Sequence, residues 1–167
     1  EAEATAFWIH SRVHLATPQA RCVLHTHMPW ATTLTSLEEG RLWPVSQNAL
    51  RYYNDVAYDD TYNGLGNDRE EGDRIASTLG GKRVVFMANH GVMIAGESIA
   101  RAFDDLYYLE RACQLQVMAM QTGRTLKFVS DNVAGMTKSQ IDAANCADQH
   151  FAALKRLMDR EGQDYAA

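Results

Sequence analysis

An apolar run ends in a pair of histidines at Cys22-Val23-Leu24-His25-Thr26-His27. The run has the length and composition of a strand, and side chains on a strand alternate between its two faces. His25 and His27 are therefore expected to point to the same side, while Thr26 points to the other. One strand thus presents two imidazoles to the same ligand, and imidazole is a good ligand for zinc, iron, copper or nickel.

A third histidine follows a second apolar run. His90 comes after the strand-like residues Val84-Val85-Phe86-Met87 and before Gly91. We expect a tight turn here, and Gly91 stands where such a turn needs a glycine. A catalytic zinc usually has about three protein ligands and one open position. One histidine on a strand is more often an ordinary hydrogen-bonded residue than a ligand. Three that converge favour a metal site, and we predict His25, His27 and His90 as its ligands.

Helical and strand patterns alternate along the rest of the chain. Pro29 stands where a second helix begins, and Asp68 and Ser98 stand where N-caps are expected. The predicted helices cover residues 5–17, 29–37, 46–53, 69–79, 99–122 and 137–160, and the predicted strands cover residues 21–27, 56–58, 83–88 and 92–95. Helices interleaved with short strands predict a layered α/β domain.

Length, charge and cysteine content restrict the class of protein. The 167 residues suffice for one domain with an ordinary core. A net charge of -5 without a basic stripe argues against nucleic acid as a partner. No apolar stretch reaches the roughly 18 residues that a membrane span needs, so we expect no membrane partner. Three cysteines outside CxxC pairs are typical of reduced thiols, so we expect a cytoplasmic protein.

Several motifs together resemble the class II aldolase/adducin family. They are residues 6–14, residues 18–27 with the histidine pair, Val56-Ala57-Tyr58-Asp59, Asn89-His90-Gly91-Val92 and residues 97–103. The resemblance covers roughly residues 3–125. It implies a three-layer α/β/α fold, a divalent metal on the three histidines and a homotetramer with active sites at subunit boundaries. Zinc is the expected metal, with manganese and iron as alternatives.

One departure from the family pattern concerns the acid/base group. The resemblance implies a Glu or Asp nineteen residues before the first metal histidine, and that position is Ala6. Glu3 is a candidate to replace it. Tyr165 is a second catalytic candidate, because aldolases of this family use a C-terminal tyrosine from a neighbouring subunit. Tyr58 and Tyr62 are alternative proton donors.

A second departure is length, because family members have a further N-terminal part. We therefore expect residues 1–167 to form a single, N-terminally truncated domain. His10 and His14, one turn apart on the first predicted helix, are candidates to orient a ligand, with capping or packing as the alternative role. The start of the helix at Pro29 is expected to direct amide dipoles at a negatively charged ligand.

The implied function is that of a metal-dependent carbon-carbon lyase, either a decarboxylase or an aldolase. Its substrate would be a small keto or hydroxy acid that reacts through a metal-stabilised enediolate. Ala6 in place of a carboxylate favours decarboxylation, because this reaction needs no base to form the carbanion. Two alternatives stay open, a non-catalytic adducin-like interaction module and a non-haem iron oxygenase on the same three histidines.

Overall fold

The computed structural model describes residues 3–164. Its helices are α1 (Ala4–Ala16), α2 (Pro29–Thr35), α3 (Gln47–Leu50), α4 (Arg69–Leu79), α5 (Ile99–Gln121), α6 (Asp131–Ala144) and α7 (Ala147–Arg160). Its strands are β1 (Cys22–Thr26), β2 (Val56–Asp59), β3 (Val84–Met87) and β4 (Gly91–Gly96). Every predicted element is present, except that two helices stand in the region of the last predicted helix.

The four strands form one sheet in the order β1-β4-β3-β2. Strand β4 is antiparallel to both β1 and β3, whereas β2 runs parallel to β3. Thr26 at the end of β1 lies opposite Val92 near the start of β4. The end of β1 therefore lies beside the turn that joins β3 to β4.

Helices cover both faces of this sheet. Val84 and Phe86 of β3 pack with residues of α2, α3 and α5. Val85 and Met87, which alternate with them, pack with residues of α1 and α4 on the other face. A strand that is buried on both faces requires a continuous apolar run, and β3 has one. The predicted three-layer α/β/α arrangement is confirmed.

Helix α1 packs chiefly against α4 rather than against the sheet. A side chain at Gly72 of α4 would lie 2.6 Å from the carbonyl oxygen of Trp8, so the glycine permits this close approach. Arg12 of α1 also forms an ion pair with Asp73 of α4. The two helices therefore form one tightly connected layer.

Two predicted helix starts are confirmed in atomic detail. The Asp68 side chain accepts a hydrogen bond of 2.9 Å from the backbone N–H of Glu71, and α4 begins one residue after this cap. The Ser98 hydroxyl accepts a hydrogen bond of 3.1 Å from the N–H of Arg101 at the start of α5. Both caps satisfy donors that a helix N-terminus otherwise leaves unpaired.

The single helix predicted over residues 137–160 is wrong, because two helices occupy this region. Helix α6 begins earlier, at Asp131, and ends at Ala144. Asn145 then adopts a left-handed conformation with φ of 37°, and its N–H donates to the carbonyl of Ile141. Asparagine tolerates this conformation better than most residues do. The apolar spacing continues across the break, so the pattern gave no sign of it.

Two further findings concern the cysteines and the membrane. All three cysteines are free thiols, with Cys22 half-buried, Cys113 buried and Cys146 exposed at the junction of α6 and α7. Among the helices of residues 3–164, none combines the length and the apolar character that a membrane crossing requires.

Candidate metal centre

Three histidines meet where β1 ends and the β3–β4 turn begins. His25 is in β1, His27 directly follows Thr26, the last residue of that strand, and His90 lies in the turn between β3 and β4. Because β1 pairs with β4, the turn that opens β4 lies next to the end of β1. Sheet pairing therefore brings His90 next to His25 and His27, which are more than sixty residues away in the sequence.

The distances between the three rings are short and nearly equal. Ring centroids lie 5.0 Å apart for His25 and His27, 4.8 Å for His25 and His90, and 4.9 Å for His27 and His90. One ligand nitrogen from each ring lies within 4.8 Å of the others. The Nε2 atoms of His25 and His27 are 3.2 Å apart. Two nitrogens bound tetrahedrally to one zinc at about 2.0–2.1 Å would be separated by about 3.3 Å, so the arrangement fits a divalent metal.

A hydrogen bond fixes the orientation of the His25 ring. Its Nδ1 donates to the carbonyl oxygen of Val92 across the β1–β4 pair, at 3.0 Å. Because a carbonyl can only accept, Nδ1 carries the proton and Nε2 keeps a free lone pair. Metal-ligating histidines commonly have such a backbone partner on their second nitrogen. His25 is therefore oriented as a ligand requires.

Burial keeps two of the three rings neutral. Burial in the first place, together with the neighbouring His90 and His27, lowers the pKa of His25 to about 4, although the hydrogen bond to Val92 acts to raise it. Burial and the nearby His27 also lower the pKa of His90, although neighbouring carboxylates act to raise it. Neutral imidazoles offer lone pairs, so a metal would not have to displace protons from these two at neutral pH.

The turn that carries His90 is held by the surrounding structure. Asn89 occupies the left-handed position of the turn, with φ of 54°, and its N–H donates to the carbonyl of Thr35 at 2.9 Å. The predicted reason for Gly91 is therefore wrong, because Asn89 and not Gly91 supplies the unusual conformation. A Cβ at position 91 would lie 2.5 Å from the carbonyl oxygen of Thr26 and 2.7 Å from the His27 ring. Gly91 is needed for close packing against β1.

The start of α2 does not face the cavity as a free anion site. Glu110 of α5 accepts hydrogen bonds from the backbone N–H groups of Trp30 and Ala31, at 3.0 and 2.9 Å. Met28, the N-cap residue, makes no side-chain capping bond of its own. The expectation that these amides stabilise a ligand's charge is wrong, because a carboxylate of the chain already occupies them.

A cavity of about 520 Å³ opens beside the histidines. The three rings form one side of it, and the remaining lining residues come mainly from α1 and from the loop before α4. They are Thr5, Ala6, Ile9, His10, Thr26, Leu65 and Gly66. Within residues 3–164, no lysine, arginine or carboxylate is among the lining residues. The cavity can therefore hold a small ligand next to the three imidazoles.

The other candidates on α1 have different surroundings. Glu3 caps the helix by accepting a hydrogen bond of 2.9 Å from the N–H of Ala6, and it is exposed and outside the set that lines the cavity. His14 contacts the carbonyl oxygen of Ala20 through Nδ1 at 2.8 Å. His10 lines the cavity with the three histidines. Of the two α1 histidines, only His10 is placed to meet a ligand there.

The structure describes two of the three tyrosine candidates, Tyr58 and Tyr62. Tyr165 lies outside the described residues. The ring of Tyr62 is 6.2 Å from that of His90, and 49% of the residue is exposed. The hydroxyl of Tyr58 accepts a hydrogen bond from the N–H of Leu42 at 3.1 Å. Of Tyr58 and Tyr62, it is Tyr62 that the structure brings beside a predicted metal ligand.

A charged cluster beside His90 was not predicted. Arg74 forms ion pairs of 2.5 Å with both Asp59 and Glu71, and these residues line a small cleft that His90 also borders. The two carboxylates raise the pKa of Arg74 well above its ordinary value. Glu71 and Arg74 lie one turn apart on α4, whereas Asp59 ends β2, and no local pattern marks Asp59 as their neighbour.

Comparisons of sequence give a consistent family. The family model described as the Class II Aldolase and Adducin N-terminal domain matches residues 2–117. A Caulobacter vibrioides protein with a provisional class 2 aldolase name is 38% identical over 168 aligned positions, which cover 96% of this chain and 63% of that protein. Human β-adducin is 30% identical, over 96% of this chain and 24% of its own length. The decarboxylase NovR of Streptomyces niveus is 29% identical, over 81% of this chain and 50% of its own.

Solved structures with the same fold agree. An aldolase II superfamily protein from Pseudomonas syringae superimposes with a TM-score of 0.87 at 33% identity, over 96% of this chain and 65% of that one. The L-fuculose 1-phosphate aldolase of Glaciozyma antarctica PI12 has a TM-score of 0.80 at 24% identity, over 98% and 63%. The second likeness shows the fold alone.

The matches cover most of this chain but a smaller share of each relative. The chain spans less than two thirds of the length of these relatives. The family model, by contrast, covers most of this chain, and all four strands and the motifs around the histidines lie within the matched residues. The chain belongs to the class II aldolase and adducin family.

Proposed function

We propose that the chain carries the metal centre of a carbon-carbon lyase that acts on a small keto or hydroxy acid. The convergence of His25, His27 and His90, with two Nε2 atoms 3.2 Å apart, is the observation that supports this most directly. A divalent metal there would polarise a carbonyl or carboxylate oxygen and stabilise the charge that develops when the neighbouring carbon-carbon bond breaks. We propose zinc, because it accepts three imidazole ligands and an open position.

The lining of the cavity favours decarboxylation over aldol cleavage. Aldol cleavage needs a base to deprotonate a hydroxyl group, and no carboxylate lines the cavity within residues 3–164. Decarboxylation forms its carbanion without a base. The relative named as a decarboxylase supports a lyase, and the choice of decarboxylation over aldol cleavage rests on the cavity.

Two proton-transfer groups stay as proposals. Glu3 is near the cavity through its neighbours Thr5 and Ala6, although it caps α1. Tyr165 is proposed to act on a neighbouring copy of the chain in a homotetramer. Exposed apolar residues on α5, Leu115 and Met118, support self-association, because such groups tend to be covered at interfaces. Light scattering that gives the mass of a single chain would contradict the tetramer.

The test begins with metal content. The chain is stripped with a chelator and reloaded with zinc, manganese or iron(II), and bound metal is measured. Carbon dioxide release from oxaloacetate and from other keto and hydroxy acids is then followed beside aldehyde release. We expect one metal per chain and metal-dependent release of carbon dioxide.

Two histidine variants sharpen this test. His27→Ala should lose the metal and the activity but keep the fold, because His27 is exposed at the end of β1. His14→Ala removes a histidine that lies outside the cavity and should retain the metal. A wild-type chain that binds no metal would overturn the proposal and support a non-catalytic module, which the likeness to β-adducin also favours. Oxygen consumption by the iron form would instead indicate an oxygenase.

A further inference from the structure

The cavity beside the three histidines contains few groups that can bind a polar ligand. Ten residues line it, and apart from the three candidate ligands only Thr5, His10 and Thr26 have polar side chains. A keto or hydroxy acid carries several oxygens, and a metal would bind only some of them. The others need hydrogen-bond partners, because an unpaired polar group in a partly buried site is costly.

Two of the three polar side chains cannot serve this purpose. The hydroxyl oxygen of Thr26 is buried, so a ligand in the cavity has no access to it. The hydroxyl of Thr5 donates to the carboxylate of Glu3 and helps to hold the N-terminal turn of α1. The proton that Thr5 could offer a ligand is thus already committed.

His10 differs from both threonines. It lies half-buried on α1, and within residues 3–164 its ring makes no hydrogen bond, whereas His14 of the same helix contacts the carbonyl of Ala20. The pKa of His10 is lowered, first by burial and then by His14. A neutral imidazole has one N–H donor and one acceptor nitrogen, so it can pair with a hydroxyl, a carbonyl or a carboxylate oxygen.

We propose that His10 is the substrate-binding residue that hydrogen-bonds an oxygen of the acid held at the three histidines. The proposal rests on the proposed function, since it assumes a ligand beside a metal. On this proposal α1 orients the ligand, from the side opposite His25 of β1 and His90 of the β3–β4 turn. Ala6, one turn earlier on α1, leaves room for the ligand because its side chain is a single methyl group.

The test measures ligand binding rather than turnover, with oxalate as the probe. The chain is loaded with cobalt(II), and oxalate is titrated while the visible spectrum of the cobalt is recorded. His10→Ala and His10→Phe should bind cobalt as the wild type does but bind oxalate about tenfold more weakly or worse, the usual loss for one hydrogen bond to a charged group. His10→Gln, which keeps a donor and an acceptor, should recover part of the affinity. His14→Ala is the matched control and should bind oxalate normally.

The outcomes separate the two proposals. Equal oxalate affinity in wild type, His10→Ala and His10→Phe, with cobalt bound in each, overturns the role of His10 and leaves the proposed function standing. A wild-type chain that binds no cobalt overturns the proposed function and the His10 contact with it. If the variants do not fold, ¹⁵N resonances of the His10 ring in the zinc-loaded wild type decide the matter. They should shift when oxalate is added, and an unchanged His10 ring overturns the contact.

Discussion

Glu110 accepts a hydrogen bond of 3.0 Å from the backbone N–H of Trp30, eighty residues away in the sequence. Its other carboxylate oxygen accepts from Ala31 at 2.9 Å. A side chain of α5 therefore caps the first turn of α2, which begins two residues after His27. The cap connects the largest helix of one layer to the segment that follows the metal candidates.

Removal of the Glu110 charge should destabilise the fold. Glu110→Gln puts an amide NH₂ opposite one of two backbone donors, so we expect the free energy of unfolding to fall by about 1–3 kcal/mol. Urea unfolding of the metal-free chain measures this change. Glu38→Gln is the control, because Glu38 is exposed and makes no such cap, and it should stay within about 0.5 kcal/mol of wild type. Equal stability of the two variants would show that the cap contributes little.

Gly91→Ala should disturb the candidate metal centre directly. The added methyl group would lie 2.7 Å from the His27 ring and 2.5 Å from a backbone oxygen of β1, so ring or strand must move. We expect a loss of about 1–3 kcal/mol in stability and a weaker affinity for zinc, measured by competition with a chelator. Gly135→Ala on α6 adds the same methyl group where no atom lies within 4 Å. This control should leave stability unchanged or raise it slightly. Normal zinc binding by Gly91→Ala would contradict the packing argument.

Asp105 on α5 carries a charge inside the protein. It is fully buried and accepts from Arg51 at 2.7 Å and from Arg101 at 3.0 Å. Asp105→Asn removes one of the two carboxylate partners of each of these guanidinium groups and should cost about 3–5 kcal/mol, seen as a lower urea midpoint. Asp60→Asn breaks the exposed ion pair of Asp60 with Arg41 and should cost at most about 1 kcal/mol. Similar losses for both variants would contradict the difference in burial.

The Glu71 carboxylate should make stability depend on acid pH. Hydrogen bonds from Arg74 lower the pKa of Glu71 below its ordinary value of 4.5. The unfolded chain then binds more protons than the folded chain in this range, so the stabilisation is present above pH 4.5 and is lost as pH falls through the folded-state pKa. Unfolding of wild type and Glu71→Gln between about pH 3 and pH 7 should show a stability difference that shrinks below pH 4.5. A constant difference would contradict the assignment.

Local signals account for what the sequence predicted correctly. Alternation along a strand placed His25 and His27 on one side, and the hydrogen-bonding ability of Asp68 and Ser98 marked two helix starts within one residue. These features depend on residues no more than four positions apart. The apolar run before His90 indicated that residue as well, and the resemblance to a family then added the order of the three layers, which local patterns do not contain.

Contacts across the fold account for what was missed. Gln116 accepts a hydrogen bond from the N–H of Trp43 and donates to the carbonyl of Arg41, each at 2.7 Å. Such partners are more than seventy residues apart, as are Glu110 and α2, so no nearby residue indicates them. The role of Gly91 was misjudged for the same reason, because the atoms that it must avoid belong to β1. The break at Asn145 was hidden by apolar spacing that continues through it.

The attachment of α1 to α4 means that the two sides of the cavity are held by different contacts, so evolution could alter them independently. The three imidazoles depend on strand register in the sheet, whereas Ala6, Ile9 and His10 belong to a helix held by Gly72 and the Arg12–Asp73 pair. Substitutions on the cavity side of α1 can therefore reshape the cavity without touching the register that brings the imidazoles together. One wall of the cavity can vary in this way while the opposite wall stays constant.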